Sequence, residues 1–497
     1  MDWATQPDPF RRYPGADVVR LLLPKPGHPL PYWQLYALGD VPSEPLSLES
    51  ISLFFRYALS LTAWKRFHET TWSLRANPSS GNLHPTEGYA VLPAIERLGD
   101  APAVYHYAPK EHALERRAIF DAQAWSELCA PFPEGSFLVG LSSVHWREAW
   151  KYGERAFRYC QHDAGHALAT LRIAAAALGW GLVLLDGMSD SAIAGLFGLS
   201  RGDDYGTAER EEPELLALVT PGLPLTSPEL LNGLTAGSIG AQWCGRANAL
   251  SPEHRVEWPV IDEVAQATRR SENAPITEDF SRFPTEEALF GIPVRHGLLT
   301  AEKAILGRRS AVAMDGATAI SREAFFRTLA RLMPTRDGRS MPWDAIPWRP
   351  RIKDVMRREF RWQRLPSCPP GLPLYLLQEG DCRALAATVS CGQGIAGDGA
   401  FSLGMIADYM DSLTTYGAAF YRNLFWEAGM VGQVLYLEAE ETGIRSTGIG
   451  CYFDDPVHEA FGITSREWQS FYHFTVGGLV EDTRLSTLPA YDFEEPR

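Results

Sequence analysis

Residues Phe157 to Leu199 read FRYCQHDAGHALATLRIAAAALGWGLVLLDGMSDSAIAGLFGL, and residues Tyr421 to Ile463 read YRNLFWEAGMVGQVLYLEAEETGIRSTGIGCYFDDPVHEAFGI. The two stretches align without a gap. The matched pairs include Arg158 with Arg422, Asp163 with Glu427, Gly165 with Gly429, Gly179 with Gly443 and Asp190 with Asp454. A single, widely separated repeat is not a solenoid, whose short repeats follow one another directly. It indicates two copies of one domain in tandem.

Each copy has the same predicted order of local structure. A long helix carries small residues at its middle, where another helix can pack closely. The helix ends at Gly179 or Gly443, because a glycine in a left-handed conformation commonly stops a helix. A short strand follows, and Asp190 or Asp454 is then expected to be the N-cap of the next helix.

Around this repeat the pattern favours an α+β fold, with a mixed sheet flanked by long helices in each copy. Strands are predicted at 88–92, 136–141, 372–377 and 472–476. We expect domain 1 at 1–225, a connector packed on the body at 226–284, and domain 2 at 285–497. The connector contains a predicted helical segment near Trp258 to Arg270.

Composition excludes several classes of protein. The 497 residues carry 61 Asp and Glu against 46 Lys and Arg, a formal net charge of −15. A general binder of nucleic acid or of anionic membranes would show a basic face instead. The N-terminus lacks an apolar signal segment, and the longest apolar run, 173–185, is too short to span a bilayer. The seven cysteines are scattered without a C-x-x-C pair, so we expect free thiols, no metal site and a cytoplasmic location.

One polar loop has the composition of a ligand-binding segment. Residues 75–87 read RANPSSGNLHPTE, and we expect them between a helix ending near Leu74 and a strand at Gly88. Short side chains offer hydrogen-bond donors and acceptors, and Gly81 lets the backbone approach a flat ligand. The same composition is equally compatible with an ordinary turn.

Three further stretches contain residue types that carry chemistry. Arg308-Arg309-Ser310 stands ahead of a predicted helical segment, and arginine forks bind phosphate well. Ser446 to Gly450 would expose backbone N–H groups of the kind that tune a flavin ring. In Trp150 to Arg155, Lys151 beside Tyr152 can move a proton if burial lowers the lysine pKa. Solvated surface arginines, a bulged strand and a solvated helix start are the alternative interpretations.

A literal G-x-G-x-x-G occurs at Gly392 to Gly397. A dinucleotide-binding unit would require a strand before it, at 384–390, a helix from Asp398 and an acid such as Asp411 further on. No alternation of strands and helices surrounds the motif, which favours a chance match.

Together these features resemble the nitroreductase-like flavoprotein superfamily, and within it the SagB-type branch that includes azoline dehydrogenases of thiazole/oxazole-modified peptides. The loop Pro78-Ser79-Ser80-Gly81-Asn82-Leu83-His84-Pro85 is similar to the P-S-S-x-N-x-x-P flavin loop. Residues Trp150 to Arg158 are similar to a K-Y-G-E-R stretch whose Lys-Tyr pair is implicated in catalysis. Arg308-Arg309-Ser310 resembles the R-R-S phosphate motif, Gly443 to Asp454 the strand loop under the flavin ring, and Val476-Gly477 with Arg484 the C-terminal phosphate arginine.

The resemblance implies an intramolecular pseudo-dimer with one composite FMN site. Domain 1 would supply Pro78, Ser79, Ser80 and Asn82 for binding and Lys151 and Tyr152 for catalysis. Domain 2 would supply Arg308, Arg309, Ser310, Gly448, Ile449, Gly450 and Arg484. The opposite site looks degenerate. Domain 2 has Arg349-Pro350-Arg351 and Pro369-Pro370-Gly371 near the matching place but no P-S-S-x-N, and domain 1 has Arg11-Arg12 but no clear R-R-S. A second FMN is therefore not expected.

The implied activity is that of an FMN-dependent oxidoreductase that transfers hydride through flavin N5 to or from a small molecule or a peptide azoline. Gly450 N–H would lie near N5, and Lys151 with Tyr152 would handle the substrate proton. NAD(P)H is a possible electron donor, and the chain would be a monomeric pseudo-dimer or a homodimer. The alternatives are a non-catalytic flavin-binding or scaffold protein, and a nicotinamide dehydrogenase that depends on Gly392 to Gly397.

Overall fold

The computed structural model describes residues 2–23, 30–37, 39–222, 242–272, 283–290, 298–336, 340–348, 350–351, 363–365 and 367–491. The helices within them are α1 (Leu48–Ala58), α2 (Ala122–Cys129), α3 (His145–Tyr152), α4 (Ala156–Ala177), α5 (Asp190–Phe197), α6 (Gly202–Tyr205), α7 (Pro259–Ala267), α8 (Glu286–Phe290), α9 (Ala301–Gly307), α10 (Arg322–Arg331), α11 (Arg383–Val389), α12 (Gly394–Asp398), α13 (Tyr409–Tyr416), α14 (Phe420–Glu441) and α15 (Asp454–Ala460).

The strands are β1 (Asp17–Arg20), β2 (Leu61–Phe67), β3 (Thr70–Arg75), β4 (Thr86–Leu92), β5 (Ala103–Ala108), β6 (Ala113–Ile119), β7 (Phe137–Ser143), β8 (Trp180–Leu184), β9 (Glu212–Pro221), β10 (Gln242–Trp243), β11 (Gln363–Arg364), β12 (Tyr375–Leu376), β13 (Phe401–Asp408), β14 (Arg445–Ile449), β15 (Trp468–Gly477) and β16 (Ser486–Leu488). The fold class is therefore α+β, as predicted.

The predicted repeat is present as two equivalent helices at the centre of the molecule. The two 22-residue helices, α4 and α14, occupy matched positions in the alignment and are buried along nearly their whole length. They cross at Gly165 and Gly429. A Cβ on Gly165 would lie 2.3 Å from the Trp426 carbonyl oxygen, and one on Gly429 would lie 2.4 Å from the His162 carbonyl oxygen. The matched glycines therefore permit backbone-to-backbone contact at the pseudo-twofold axis.

The two copies differ in the sheets that cover these helices. In the first copy, antiparallel strands follow the order β1-β6-β5-β4-β7-β9-β8, and β10 pairs with the C-terminal end of β6. In the second copy, three strands follow the order β13-β15-β14. A continuous core joins both copies through the α4–α14 contact.

The copies also exchange structure near the chain end. Strand β16, which follows the second copy, pairs antiparallel with β2 of the first copy, with Thr487 opposite Lys65. Lys65 Nζ donates to Thr487 Oγ1 at 2.7 Å. The two copies therefore form one pseudo-dimer, in which the end of the second copy extends a sheet of the first.

Several local predictions require correction. Ser189, rather than Asp190, caps α5 by accepting from Ala192 N, because Asp190 is already the first helical residue and its carboxylate pairs elsewhere. Asp454 likewise begins α15 after Phe453. The predicted strand at 372–377 shortens to β12, and the segment before the 75–87 loop is strand β3 rather than a helix.

Other expectations hold in the described residues. Gly179 and Gly443 follow the long helices with φ of 66° and 73°, in the left-handed region. The connector helix is α7, while residues 226–241 and 273–282 of the connector lie outside the described residues. No helix among the described residues is long and apolar enough to cross a membrane.

Candidate functional site

A cavity of about 670 Å³ opens between the two copies, within the size range typical of small-molecule sites. The predicted residues that line it are Pro78, Ser79, Ser80, Asn82, Tyr152, Arg308, Arg309, Ser310, Gly448, Ile449 and Gly450. Segments far apart in the chain and from both copies therefore meet at one place.

The 78–82 loop is fixed by a carboxylate of helix α4. Ser80 N donates to Asp163 Oδ1 at 3.2 Å, and Ser80 Oγ lies 3.4 Å from the same atom. Gly81 adopts φ 62°, which an L side chain rarely takes. Burial raises the pKa of Asp163 to about 7, against the opposing effect of the hydrogen bonds from Ser79 and Ser80. The loop thus contacts a carboxyl group that changes charge near neutral pH.

Lys151 and Tyr152 end helix α3 directly beneath this loop. A Cβ on Gly81 would lie 2.5 Å from Tyr152 Oη and 2.8 Å from Lys151 Nζ, so only a glycine fits above the pair. The Tyr152 ring packs edge-on against Tyr159 with centroids 4.7 Å apart. Burial, and after it the nearby Glu148 carboxylate, raise the pKa of Tyr152, which keeps its hydroxyl protonated.

One group of cavity-lining residues is rich in positive charge, and we call it the cationic end. Burial first, and then Arg308, lower the pKa of Arg309 to about 10. Burial also lowers the pKa of Arg308, and neighbouring Arg445 adds to the effect. Lys65 from β2 lines the same end, and its pKa is lowered by burial and by Arg309. Mutually repelling cations held in one place constitute an anion site without its anion.

Two arginine nitrogens at this end lack hydrogen-bond partners. Among the described residues, Arg308 Nε and Arg445 Nε are buried and unpaired. Arg308 Nη2 donates to Arg75 O at 2.9 Å, and Arg445 pairs with Glu440 at 2.6 Å. Each guanidinium is therefore held in place by its Nη atoms, while its Nε remains without a partner and can bind a ligand.

Strand β14 and Gly450, which directly follows it, form one wall of the cavity, where two glycines leave room for tyrosines. A Cβ on Gly448 would lie 2.0 Å from Tyr472 Oη, and one on Gly450 would lie 2.4 Å from Tyr159 Cε1. Gly448 N donates to Tyr436 Oη at 3.2 Å, and that hydroxyl lies 2.8 Å from Ser310 Oγ. This wall is thus a flat aromatic and backbone surface.

Two predicted residues lie differently from the rest. Arg484 is not among the cavity-lining residues; its side chain is 74% exposed and pairs with Asp482 at 2.7 Å. Lys151 is not among the cavity-lining residues either, and its Nζ comes close to them only beside Gly81. Arg308-Arg309-Ser310 also follows helix α9 rather than preceding a helix directly.

Sequence reasoning missed several residues that line the cavity. They are Lys65, Tyr159, Asp163, Tyr436, Arg445 and Tyr472. Asp163 and Arg445 lie in segments that the repeat alignment had already singled out. Lys65 has no comparable signal, since it lies on an ordinary strand of the first copy and meets Arg309 of the second copy only through tertiary packing.

The repeat alignment relates residues of this cavity to a second position, where the described polar side chains contact one another. In the repeat alignment Asp186 takes the place of Gly450, and Asn423 takes the place of Tyr159. Asn423 Nδ2 donates to Asp186 Oδ1 at 3.1 Å, and Arg270 Nη1 donates to the same oxygen at 2.9 Å. Arg422 pairs with Asp190 at 2.7 Å close by. We call this set, Asp186, Asp190, Arg270, Arg422 and Asn423, the filled position.

The glycine-rich motif at 392–397 has no strand before it. Residues 383–389 form helix α11, so the strand that a dinucleotide-binding unit needs is absent from this described segment. The prediction of free thiols was wrong for two residues, because Cys391 and Cys451 are joined by a disulfide. Sequence spacing did not reveal this pair, since its members are 60 residues apart.

Comparison with known proteins agrees with this architecture. The nitroreductase family model matches residues 43–207 and 371–478, more than half of the chain. The chain therefore belongs to the nitroreductase family, a family of oxidoreductases.

Individual relatives cover different parts of the chain. A protein of Methanocaldococcus jannaschii named as a nitroreductase is 27% identical over 157 residues, which are 30% of this chain and 74% of that protein. A crystal structure from Anabaena variabilis, also named as a nitroreductase, covers 97% of this chain and 95% of its own, with a TM-score of 0.69 and 22% identity. A structure from Exiguobacterium sibiricum, named as a nitroreductase in complex with FMN, covers 39% of this chain and 91% of its own at 17% identity, with a TM-score of 0.23.

Proposed function

We propose that this chain is an FMN-dependent oxidoreductase of the SagB type, with one FMN site between its two copies. The observation that carries the proposal is the set of residues that line the cavity. It combines four cationic side chains from both copies, Lys65, Arg308, Arg309 and Arg445, with the 78–82 loop and Tyr152, and Lys151 Nζ lies close to Gly81 of that loop. A phosphorylated, flat, aromatic ligand is complementary to such a lining.

The residues present fit FMN. The lowered pKa values of Arg308 and Arg309 mark positive charge that a phosphate would neutralise. The four cations outnumber the acids near them, which are Glu440, Glu481 and Asp482, and Asp482 already pairs with Arg484. Pro78, Ser79, Ser80 and Asn82 would hold the ring system from one side, and Gly448, Ile449 and Gly450 from the other.

Bound FMN would supply hydride transfer at its ring nitrogen N5. The chain's own residues would then orient the substrate and move its proton. Tyr152 keeps its hydroxyl protonated and can donate to a substrate atom, while the Lys151 ammonium lies against Gly81 in the same corner. Gly450 leaves its backbone N–H near the wall of the cavity, and the aromatic side chains around it exclude water.

The substrate is proposed as a class rather than a compound. The Lys-Tyr pair in a K-Y-G-E-R context favours dehydrogenation of a peptide azoline, and reduction of a small molecule with NAD(P)H as donor is the second case. We keep the domain division 1–225, 226–284 and 285–497, a cytoplasmic location, and a monomeric pseudo-dimer or homodimer as parts of this proposal. The net charge of −15 argues against a nucleic-acid partner.

The first test is the absorbance spectrum of the purified chain, with released flavin counted per chain. One FMN per chain is expected, and two would contradict the single-site proposal. The Lys151→Ala and Tyr152→Phe variants should keep the FMN and lose turnover of an azoline peptide or of a nitro compound with NAD(P)H. Glu154→Gln, an exposed change in the same motif, serves as the control.

The second candidate function is non-catalytic flavin binding, which the filled position favours because one of the two sites is already lost. It predicts bound FMN that neither NAD(P)H nor an azoline peptide reduces. Rapid reduction of the flavin by either compound would exclude it.

A further inference from the structure

The disulfide lies at the edge of the proposed flavin site. Cys451 directly follows Gly450 and lines the cavity. Cys391 lies between helices α11 and α12 and is followed by exposed Gly392, and Gly394 beyond it is exposed as well. One end of the pair therefore faces the cavity, while the other lies beside an open surface.

A histidine lies between the residues that adjoin the two cysteines. Ser390, just before Cys391, has its Oγ 3.3 Å from His473 Nδ1. Tyr452, just after Cys451, stacks on the His473 ring with centroids 4.3 Å apart. Burial lowers the pKa of His473 to about 4, so its imidazole is neutral at neutral pH. Its Nε2 is buried and unpaired among the described residues. The His473 ring therefore links the two segments that carry the cysteines.

The two cysteine segments are also held together without the disulfide. Phe453 N donates to Val389 O at 2.8 Å. Gln393 Nε2 donates to Cys451 O at 3.2 Å and to Ser390 O at 2.9 Å. Because these hydrogen bonds do not depend on the S–S bond, the pair can open and close without releasing either segment.

We propose that Cys391 and Cys451 form a redox-active disulfide that exchanges electrons with the flavin cavity on one side and with an external dithiol on the other. This inference rests on the proposed function, since it needs FMN in the cavity. It gives the C-G-Q-G stretch at Cys391 to Gly394 a functional role other than dinucleotide binding. Disulfides in reducing compartments are commonly catalytic or redox-sensing rather than structural.

The step balances as follows. The disulfide takes up two electrons and two protons, its S–S bond breaks, and two thiols form. Reduced anionic FMN, as donor, gives up two electrons and one proton and returns to the oxidised form, while solvent supplies the second proton. In the outward direction the Cys391 thiolate exchanges with an external disulfide through a mixed disulfide, and Cys451 then closes the pair again.

The test is an anaerobic photochemical reduction of the FMN-loaded chain, followed by a thiol count in denaturant. The oxidised chain has five free cysteines. We expect seven thiols after reduction, and an uptake of four electrons per FMN instead of two. Five thiols with a fully reduced flavin would overturn the inference while leaving the proposed function intact. A chain that binds no FMN would overturn both.

Variants then distinguish electron transfer to the disulfide from a purely structural role of the disulfide. Cys391→Ser should keep the FMN and lower the uptake to two electrons per FMN. Cys382→Ser changes an exposed cysteine on the same segment and should keep four electrons. The oxidised chain should also regain two thiols on incubation with dithiothreitol, in a native count with a thiol reagent. An unchanged native count would show that the pair is closed to outside dithiols and would contradict the outward half of the proposal.

Discussion

The cavity and the filled position are related by the pseudo-twofold axis between helices α4 and α14, yet they differ in the residues that occupy them. At the cavity, Gly450 and Tyr159 line an open space beside four cations. At the filled position, the matched residues Asp186 and Asn423 hydrogen-bond to each other, and Arg270 from the connector completes the contact. One position is a cavity lined by several cations, whereas at the other the described side chains contact one another in ion pairs and hydrogen bonds.

The loop-holding carboxylates show what the two positions still share. Asp163 accepts from Ser80 N, and its partner in the repeat, Glu427, accepts from Arg351 N at 2.7 Å and from Trp348 Nε1 at 2.6 Å. In both copies a carboxylate at the same point of the long helix holds the backbone of a loop. The framework was therefore retained after duplication, while the ligand-facing residues diverged.

The largest expected effect comes from the matched ion pairs that cross between the copies. Arg422 and Asp190 are buried and 2.7 Å apart, whereas Arg158 and Asp454 are about one-third exposed and 3.8 Å apart. Arg422→Ala leaves a buried carboxylate unpaired and should lower the free energy of unfolding by about 3–5 kcal/mol. Arg158→Ala should cost about 1 kcal/mol or less. Urea denaturation of both variants measures the difference. An equal loss of unfolding free energy in the two variants would contradict the claim that the buried pair stabilises the fold more than the exposed pair.

A second prediction converts the cavity toward its counterpart. Gly450→Asp places in the cavity the residue that stands at the filled position. Any Cβ there would meet Tyr159, and a carboxylate would repel an anionic flavin, so the FMN dissociation constant should rise about 100-fold or more. Fluorescence titration with FMN measures this. Gly394→Ala is the control, because its Cβ has room and its φ is not left-handed. If the two variants bind FMN equally, the ligand does not lie over Gly450.

Whether the sequence predicts a residue of these two positions depends on how far apart in the chain its contacts lie. The repeat predicted both long helices, and the short motifs predicted the loop, the arginines and the glycines at 448 and 450 that the cavity brings together. Lys65 was missed because its neighbour at the site, Arg309, lies more than 200 residues away in the chain. Arg270 was missed because nothing local indicates that a connector residue reaches Asp186. Contacts between distant segments depend on tertiary packing, which single-sequence periodicity does not contain.

A third prediction compares two arginines that the resemblance assigns to the same phosphate. Arg309→Ala removes a half-buried guanidinium of the cationic end and should weaken FMN binding about 10–100-fold, as loss of a charged hydrogen bond typically does. Arg484→Ala removes an exposed side chain paired with Asp482 and should change binding less than about 3-fold. Isothermal titration calorimetry with FMN and with riboflavin, which lacks the phosphate, shows whether the loss of affinity depends on the phosphate. Equal losses with both ligands would remove Arg309 from the phosphate site.

The smallest expected effect is a pH dependence that the cavity should show through Asp163. Its pKa of about 7 lies above the value for an unfolded chain because the carboxyl is buried. The folded state therefore keeps a proton that the unfolded chain releases, and this group makes stability fall as pH rises from about 4 to 7.

The affinity for flavin should change with pH in the opposite direction. The ionised carboxylate accepts the Ser80 N–H more strongly and holds the loop, so riboflavin affinity should rise a few-fold between pH 6 and 8. Asp163→Asn should flatten both profiles, whereas Glu154→Gln should leave them unchanged. Because riboflavin has no phosphate to titrate, a slope that survives in Asp163→Asn would place the titrating group elsewhere.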